Sequence, residues 1–210
     1  AIGEQALALA DRAPGVSLLA VWFADEQVGF VAGAFGLLLR TEDGGERWTP
    51  WLDRVENPRA LHLLAIGGAG GAVFLAGEQG LLLRLDAETR RFRAAGAPPG
   101  GSFFALIATG RTAVIAGLGG RAVRSGDVGA SWQEVTTGVG ASLTGAAVLP
   151  DGRLVLVSLQ GDVLVSGDGG RSFRRADPAA RSPPTSSVAA ADAETLVLAG
   201  PAGVRRERLR

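Results

Sequence analysis

Thr41-Glu42-Asp43-Gly44-Gly45-Glu46-Arg47-Trp48 is the stretch whose reading decides the fold, because it recurs. Its frame is Ser/Thr, x, Asp, x, Gly, x, x, aromatic. Ser125-Gly126-Asp127-Val128-Gly129-Ala130-Ser131-Trp132 repeats it, and Ser166-Gly167-Asp168-Gly169-Gly170-Arg171-Ser172-Phe173 repeats it again. A worn copy from Leu85 to Phe92 keeps only the final aromatic. The aromatics Trp48, Phe92, Trp132 and Phe173 are thus 44, 40 and 41 residues apart. A fixed period near forty marks a repeat architecture.

The motif has the chemistry of a tight turn. A short Asp accepts hydrogen bonds from amides two or three residues on. Gly takes positive φ at little steric cost. The aromatic opens a new strand and packs between neighbouring units. Asp43, Asp127 and Asp168 are therefore expected to bond amides within their own turns. Trp48, Trp132 and Phe173 are expected to be largely buried. A catalytic or metal role for the aspartates would need them to converge on one place, whereas they recur once per unit.

Working outward, a second landmark appears five times. Gly33-Ala34-Phe35-Gly36, Gly77-Glu78-Gln79-Gly80, Gly117-Leu118-Gly119-Gly120, Ser158-Leu159-Gln160-Gly161 and Gly200-Pro201-Ala202-Gly203 each separate two short apolar runs. Two strands joined by two residues between glycines read as a β-hairpin. A further apolar run precedes each hairpin, at 18–24, 61–66, 103–108, 143–149 and 187–191. These runs are apolar nearly throughout, as expected of strands covered on both faces. A fourth strand follows each aromatic. Four antiparallel strands per unit make a propeller blade. The chain reads as one all-β domain over 1–210, with repeats near 16–57, 58–98, 99–139, 140–180 and 181–210. The fifth unit stops short of an Asp box, and a spare strand is expected near Gln5–Ala10. Either that strand closes a five-bladed ring, or the chain is part of a larger propeller of about seven blades.

The frame resembles the Asp box of bacterial neuraminidase repeats. The flanking Phe23-Ala24-Asp25-Glu26-Gln27-Val28-Gly29-Phe30-Val31-Ala32-Gly33 and Gly36-Leu37-Leu38-Leu39-Arg40-Thr41-Glu42-Asp43-Gly44-Gly45 are similar to the photosystem II stability/assembly factor family and its exported bacterial relatives. That resemblance covers nearly the whole chain. It implies an accessory or assembly factor that binds a membrane-complex subunit, in a bacterial periplasm or a thylakoid lumen. The start Ala1-Ile2-Gly3 shows no signal peptide. It reads as a processed chain or a fragment of something longer.

Composition excludes much chemistry. There is no Cys, no Tyr and no Lys, so all 21 basic residues are Arg, and there is one His. Disulfides, thiol or phenolate nucleophiles, Schiff bases and multi-histidine metal sites are ruled out. The 21 basic and 21 acidic residues cancel, which argues against nucleic-acid and membrane-surface binding. No apolar run reaches the ~18 residues of a membrane span. No cofactor is expected, and the chain reads as a monomer that binds a protein. The alternative is a sialidase-like glycoside hydrolase or a carbohydrate-binding propeller. Sialidases use a Tyr nucleophile, which is absent, and Glu56 with Glu78 would be the acid/base pair.

Recognition is expected on the face that carries the hairpin turns and the crossings between blades, where sequence varies on a repeating frame. The candidates are Phe35, Arg54, Glu56, Asn57, Arg59, His62, Glu78 and Gln79. Phe35, an aromatic at a turn tip, is the expected anchor. Arg40, Arg84 and Arg124 share one column, with Val165 and Glu207 in the other units. They are read as inter-blade arginines whose stems cover apolar neighbours; an anion-binding ring is the other reading.

Overall fold

A computed structural model describes residues 16–96, 100–177 and 182–209. Every strand in it belongs to one of five antiparallel blades. Blade 1 comprises β1 (Leu18–Phe23), β2 (Gly29–Gly33), β3 (Leu38–Thr41) and β4 (Thr49–Pro50). Blade 2 comprises β5 (Leu63–Ala69), β6 (Ala72–Gly77), β7 (Leu82–Asp86) and β8 (Arg91–Ala94). Blade 3 holds β9 (Phe103–Thr109), β10 (Thr112–Gly117), β11 (Ala122–Ser125) and β12 (Gln133–Val135). Blade 4 holds β13 (Leu143–Val148), β14 (Leu154–Ser158), β15 (Val163–Ser166) and β16 (Arg174–Arg175). Blade 5 has three strands among the described residues, β17 (Ser187–Ala190), β18 (Thr195–Gly200) and β19 (Gly203–Arg208). The expected strand near Gln5–Ala10 lies outside the described residues.

The core is a series of layers between blades. Phe30 and Leu38 of blade 1 meet Leu63, Leu83 and Phe92 of blade 2. Phe74 and Leu82 meet Phe103, Val123 and Trp132 in the next layer. Val114 and Ala122 meet Leu143, Leu164 and Phe173, and Val157 and Val163 meet Leu196 and Leu198. Among the described residues no such layer joins blade 5 to blade 1. In blades 2 to 4 the aromatic that opens the fourth strand plugs the layer on its preceding-blade side. Trp132 stands edge-on to Phe74 at 5.7 Å, and Phe92 to Phe30 at 6.0 Å. Trp132 and Phe173 are buried as expected. Trp48 is only half-buried, with Phe23 of its own blade as its aromatic neighbour. β1 likewise departs from the expectation of strands covered on both faces: Leu18, Val21 and Phe23 are exposed.

The Asp boxes are built as expected, with one addition. Asp43 Oδ1 accepts the Arg47 amide at 2.9 Å, and Asp127 Oδ1 accepts the Ser131 amide at 2.9 Å. Asp168 Oδ1 accepts the amides of Arg171 and Ser172. The leading Ser or Thr does more than end a strand. The hydroxyls of Thr41, Ser125 and Ser166 donate to the aspartate and accept the amides of Gly45, Gly129 and Gly170. The worn copy in blade 2 uses Asp86 instead, which accepts the amides of Glu88 and Thr89.

The turns between second and third strands are not simple two-residue hairpins in blades 1 to 4. In blade 1 the Gly33 amide donates to Leu37 O across a single turn of 3-10 helix. Only blade 5 has the tight form, with Gly200 opposite Gly203. That turn is one residue shorter, so Val197, equivalent to Phe30 opposite Arg40, faces Arg206. Arg206, not Glu207, therefore continues the arginine column. The first glycine of the turn is required by close approach. A Cβ at Gly33, Gly77 or Gly117 would lie 2.4, 2.3 or 2.0 Å from the carbonyl oxygen of Ser17, His62 or Ser102. Those carbonyls lead into the first strands, and they accept the amides of Ala34, Glu78 and Leu118. The hairpin turns and blade crossings thus share one face. The Asp boxes share the other with the first-to-second-strand turns, as the Gly44 amide to Gln27 O and the Val128 amide to Arg111 O show.

Candidate functional site

On the turn face, Phe35 sits at the tip between Gly33 and Leu37. Its backbone is left-handed, φ 55° and ψ 33°, a conformation that costs a bulky residue roughly 1–3 kcal/mol. Gln79 holds the same angles one blade on, and in blade 3 the position is Gly119. Phe35 is 57% exposed, and its ring stands edge-on to His62 at 4.8 Å. Its amide donates to His62 Nδ1 at 2.9 Å. The His62 amide donates to Glu78 Oε2 at 2.8 Å. Arg59 donates to Gln79 Oε1 at 2.7 Å, and the Gln79 amide donates to Ser102 Oγ. Asn57 bonds both the amide and the carbonyl of Leu61 and so fixes the turn that delivers Arg59 and His62. Leu118 and Leu159, on the next two turns, are also exposed. The structure therefore brings together Phe35, Asn57, Arg59, His62, Glu78 and Gln79.

Arg54 and Glu56 lie elsewhere. The segment that carries them runs along the outer edge of β8, with Val55 bridged parallel to Phe92. The Glu56 amide donates to Phe92 O, and its carboxylate accepts the Ala94 amide. Glu56 and Glu78 are engaged separately, which weakens them as an acid/base pair. Arg54 turns instead to Trp51. Arg40, Arg54 and Arg90 place their guanidiniums 4.9, 5.5 and 5.5 Å from the Trp51 ring. Glu42 bonds Arg40 and Arg90 beside a cavity of about 380 Å³. This cluster joins two neighbouring segments of blade 1, at Arg40 and Trp51, to Arg90 of the next blade. Arg40 and Arg54 were legible singly; Arg90 and Trp51 carried no signal.

The members of the arginine column meet different surroundings. Arg124 reaches from blade 3 to blade 4, donating through Nε to Gly169 O at 2.6 Å. Arg84 is exposed. The Asp-box aspartates face their own turns, not a common cavity. The hydroxyls of Ser131 and then Ser125 hold the Asp127 carboxyl well below the usual carboxylate range. The Ser172 hydroxyl and amide, then the Ser166 hydroxyl, do the same for Asp168. Asp43 is lowered by the Arg47 amide and then the Thr41 hydroxyl. Among the described residues no group of three His, Cys, Asp or Glu is placed to hold a metal. No described helix is long and apolar enough to cross a membrane.

Five blades, three of them with full Asp boxes on one shared face, narrow the family. The sequence matches the family described as Photosynthesis system II assembly factor YCF48 over residues 11–180. The chain belongs to this family. No curated protein matches it. Among solved structures, YCF48 from Cyanidioschyzon merolae superposes with a TM-score of 0.67 at 16% identity, covering 93% of this chain and 67% of that one. A structure titled YCF48 bound to D1 peptide gives 0.68 at 20% identity, over 92% and 67%. The RRP9 WD40 repeats give 0.55 at 14% identity, over 92% and 77%. At these identities the likeness speaks for the fold alone.

Proposed function

We propose that this member of the YCF48 family is a non-catalytic propeller that holds a segment of a protein partner against its turn face. The partner is a subunit of a membrane complex, and the protein acts as an assembly or accessory factor in the periplasm or a thylakoid lumen. One observation carries this reading. Phe35 is held in an unfavourable backbone conformation with more than half its surface in water, on a frame that repeats rigidly around it. Strain of that kind gathers at binding sites. Leu118 and Leu159 are exposed on the turns of blades 3 and 4 of the same face, and Arg59, Glu78 and Gln79 supply polar and charged groups at the turn of blade 2 between them and Phe35. Exposed apolar side chains interspersed with polar and charged groups suit a protein partner. Family membership supports the same reading, as does the peptide held by one solved relative.

A photoreactive phenylalanine analogue at position 35 should crosslink to a membrane-complex subunit in native membranes. The same probe at position 90 should not. Phe35→Ala with Arg59→Glu should weaken capture at least about tenfold, the loss of one anchoring side chain, and leave Tm unchanged. Capture that survives these changes but fails on altering Arg40, Arg54 and Arg90 would move the site to the Trp51 cluster.

A further inference from the structure

Successive blades make the same bond with different chemistry. The amide at the turn tip of one blade reaches the side chain that leads into the next blade. Between blades 2 and 3 this is Gln79 N–H to Ser102 Oγ, 3.2 Å. Between blades 1 and 2 it is Phe35 N–H to His62 Nδ1, 2.9 Å. A serine hydroxyl accepts at any physiological pH. An imidazole nitrogen accepts only while it carries no proton.

We infer that His62 is a proton-sensitive latch on the Phe35 turn, so that acidification resets the face that meets the partner. With Nδ1 as acceptor, the neutral ring carries its proton on Nε2. Protonation makes both ring nitrogens donors, and the Phe35 amide then faces a donor. Glu78 Oε2, 3.9 Å from Nδ1, is the acceptor at hand for the new N–H. The imidazolium therefore turns from Phe35 toward Glu78. The Phe35 turn loses a bond that holds a left-handed aromatic, and it also loses its edge-on ring partner. The charged groups around the ring are few. The turn from Gly33 to Leu37 carries none. Glu78 faces Nδ1, and Arg59 beside it is occupied by Gln79. Histidine is the side chain suited to such a role near neutral pH. The latch itself stands on this geometry; its effect on the partner rests on the proposed function above.

The test needs no partner at first. In NMR titrations of the free protein, the Phe35 amide should move with the His62 ring resonances and share their midpoint. The Gln79 amide should stay flat. His62→Ser, which installs the acceptor already used in blade 3, should abolish the Phe35 response. Glu78→Gln should preserve it. Hydrogen exchange at Phe35 in acidified wild type should be roughly fivefold faster than in His62→Ser at the same pH, the factor one net hydrogen bond is worth. A flat Phe35 amide while His62 titrates overturns the latch. So does a response that persists in His62→Ser or vanishes in Glu78→Gln. Crosslinking from position 35 should fall on acidification in wild type but not in His62→Ser. If the latch titrates and Phe35→Ala leaves capture intact, the latch stands and the proposed function fails. If Phe35→Ala weakens capture and acid does not, the proposed function stands and the regulatory step fails.

Discussion

Leu18 and Leu143 occupy the same place in the repeat. Each opens the first strand of its blade, opposite the first residue of the hairpin turn. Leu143 is fully buried, as are Leu63 and Phe103 in blades 2 and 3, whereas Leu18 is 61% exposed. Trp48 and Trp132 differ in the same sense, one half-buried and one buried. The other flank repeats the lesson. Val204 is exposed where Leu38, Leu82, Ala122 and Val163 are buried. A blade's own sequence sets which residues point sideways. The neighbouring blade decides whether they are buried, so each unit's stability depends on the layer beside it.

Matched truncations at equivalent positions would break this comparison if the neighbour does not matter. Trp132→Ala should cost about 3–5 kcal/mol, because the ring fills the layer between blades 2 and 3. Trp48→Ala should cost about 1–1.5 kcal/mol, the transfer worth of a half-covered side chain. Leu143→Ala should cost about 2–5 kcal/mol, against about 0.5 kcal/mol for Leu18→Ala. Urea unfolding of the four variants measures all of these. Equal losses within either pair would show that the strand itself, not its neighbour, carries the stability.

The Asp boxes allow a comparison by pH. Folding lowers the carboxyls of Asp127 and Asp168 most, since two hydroxyls and at least one amide bond each of them. Asp86 in the worn box is lowered chiefly by the Thr89 amide. A carboxyl depressed in the folded state is protonated first in the unfolded chain. Its contribution is therefore complete above the unfolded value and is lost as pH falls. The loss should begin near pH 4, where free aspartates titrate, and continue well below it. Asp127→Asn should flatten the acid limb of a stability-against-pH curve more than Asp86→Asn does. An acid limb unchanged in Asp127→Asn would remove the box from the account of acid sensitivity.

Much of this architecture was legible because the repeat is written in turns. Asp43, Asp127 and Asp168 bond locally, and residues spaced by two to four positions can be read from sequence. The first glycine of each hairpin was legible as a landmark, but its reason was not. Gly33 is required by the carbonyl of Ser17, and that approach exists only once the strands are paired. The exposure of β1 was hidden for the same cause, since apolar residues look alike whether or not a neighbour covers them. At the turn face Phe35 was legible as a tip and His62 as a lone histidine. Their bond joins residues 27 apart across two blades and carried no local signal. The Trp51 cluster was more deeply hidden, because Arg90 reaches it from the worn box of the next blade.

The smallest expected difference lies within the arginine column. Arg40, Arg84 and Arg124 occupy one place in the repeat, yet each meets different surroundings. Arg124 donates to Gly169 O in the Asp box of blade 4 and lies near Thr112, so it ties two blades through a charge-assisted bond. Such bonds contribute about 1.5–3 kcal/mol when desolvated. Arg124 is half-buried, so Arg124→Ala should cost less, about 1 kcal/mol, near the mean for an ordinary hydrogen bond. Arg84 faces water beside the Asp box of blade 3 and makes no comparable reach. Arg84→Ala should change stability by no more than about 0.5 kcal/mol. The sharper comparison is Arg124→Lys. Lysine keeps the charge but cannot present the guanidinium fork, so it should recover less than half of the loss if the bond to Gly169 is directional. Full recovery would mean that the column acts through charge alone, and Arg84 should then show the same salt-dependent contribution as Arg124.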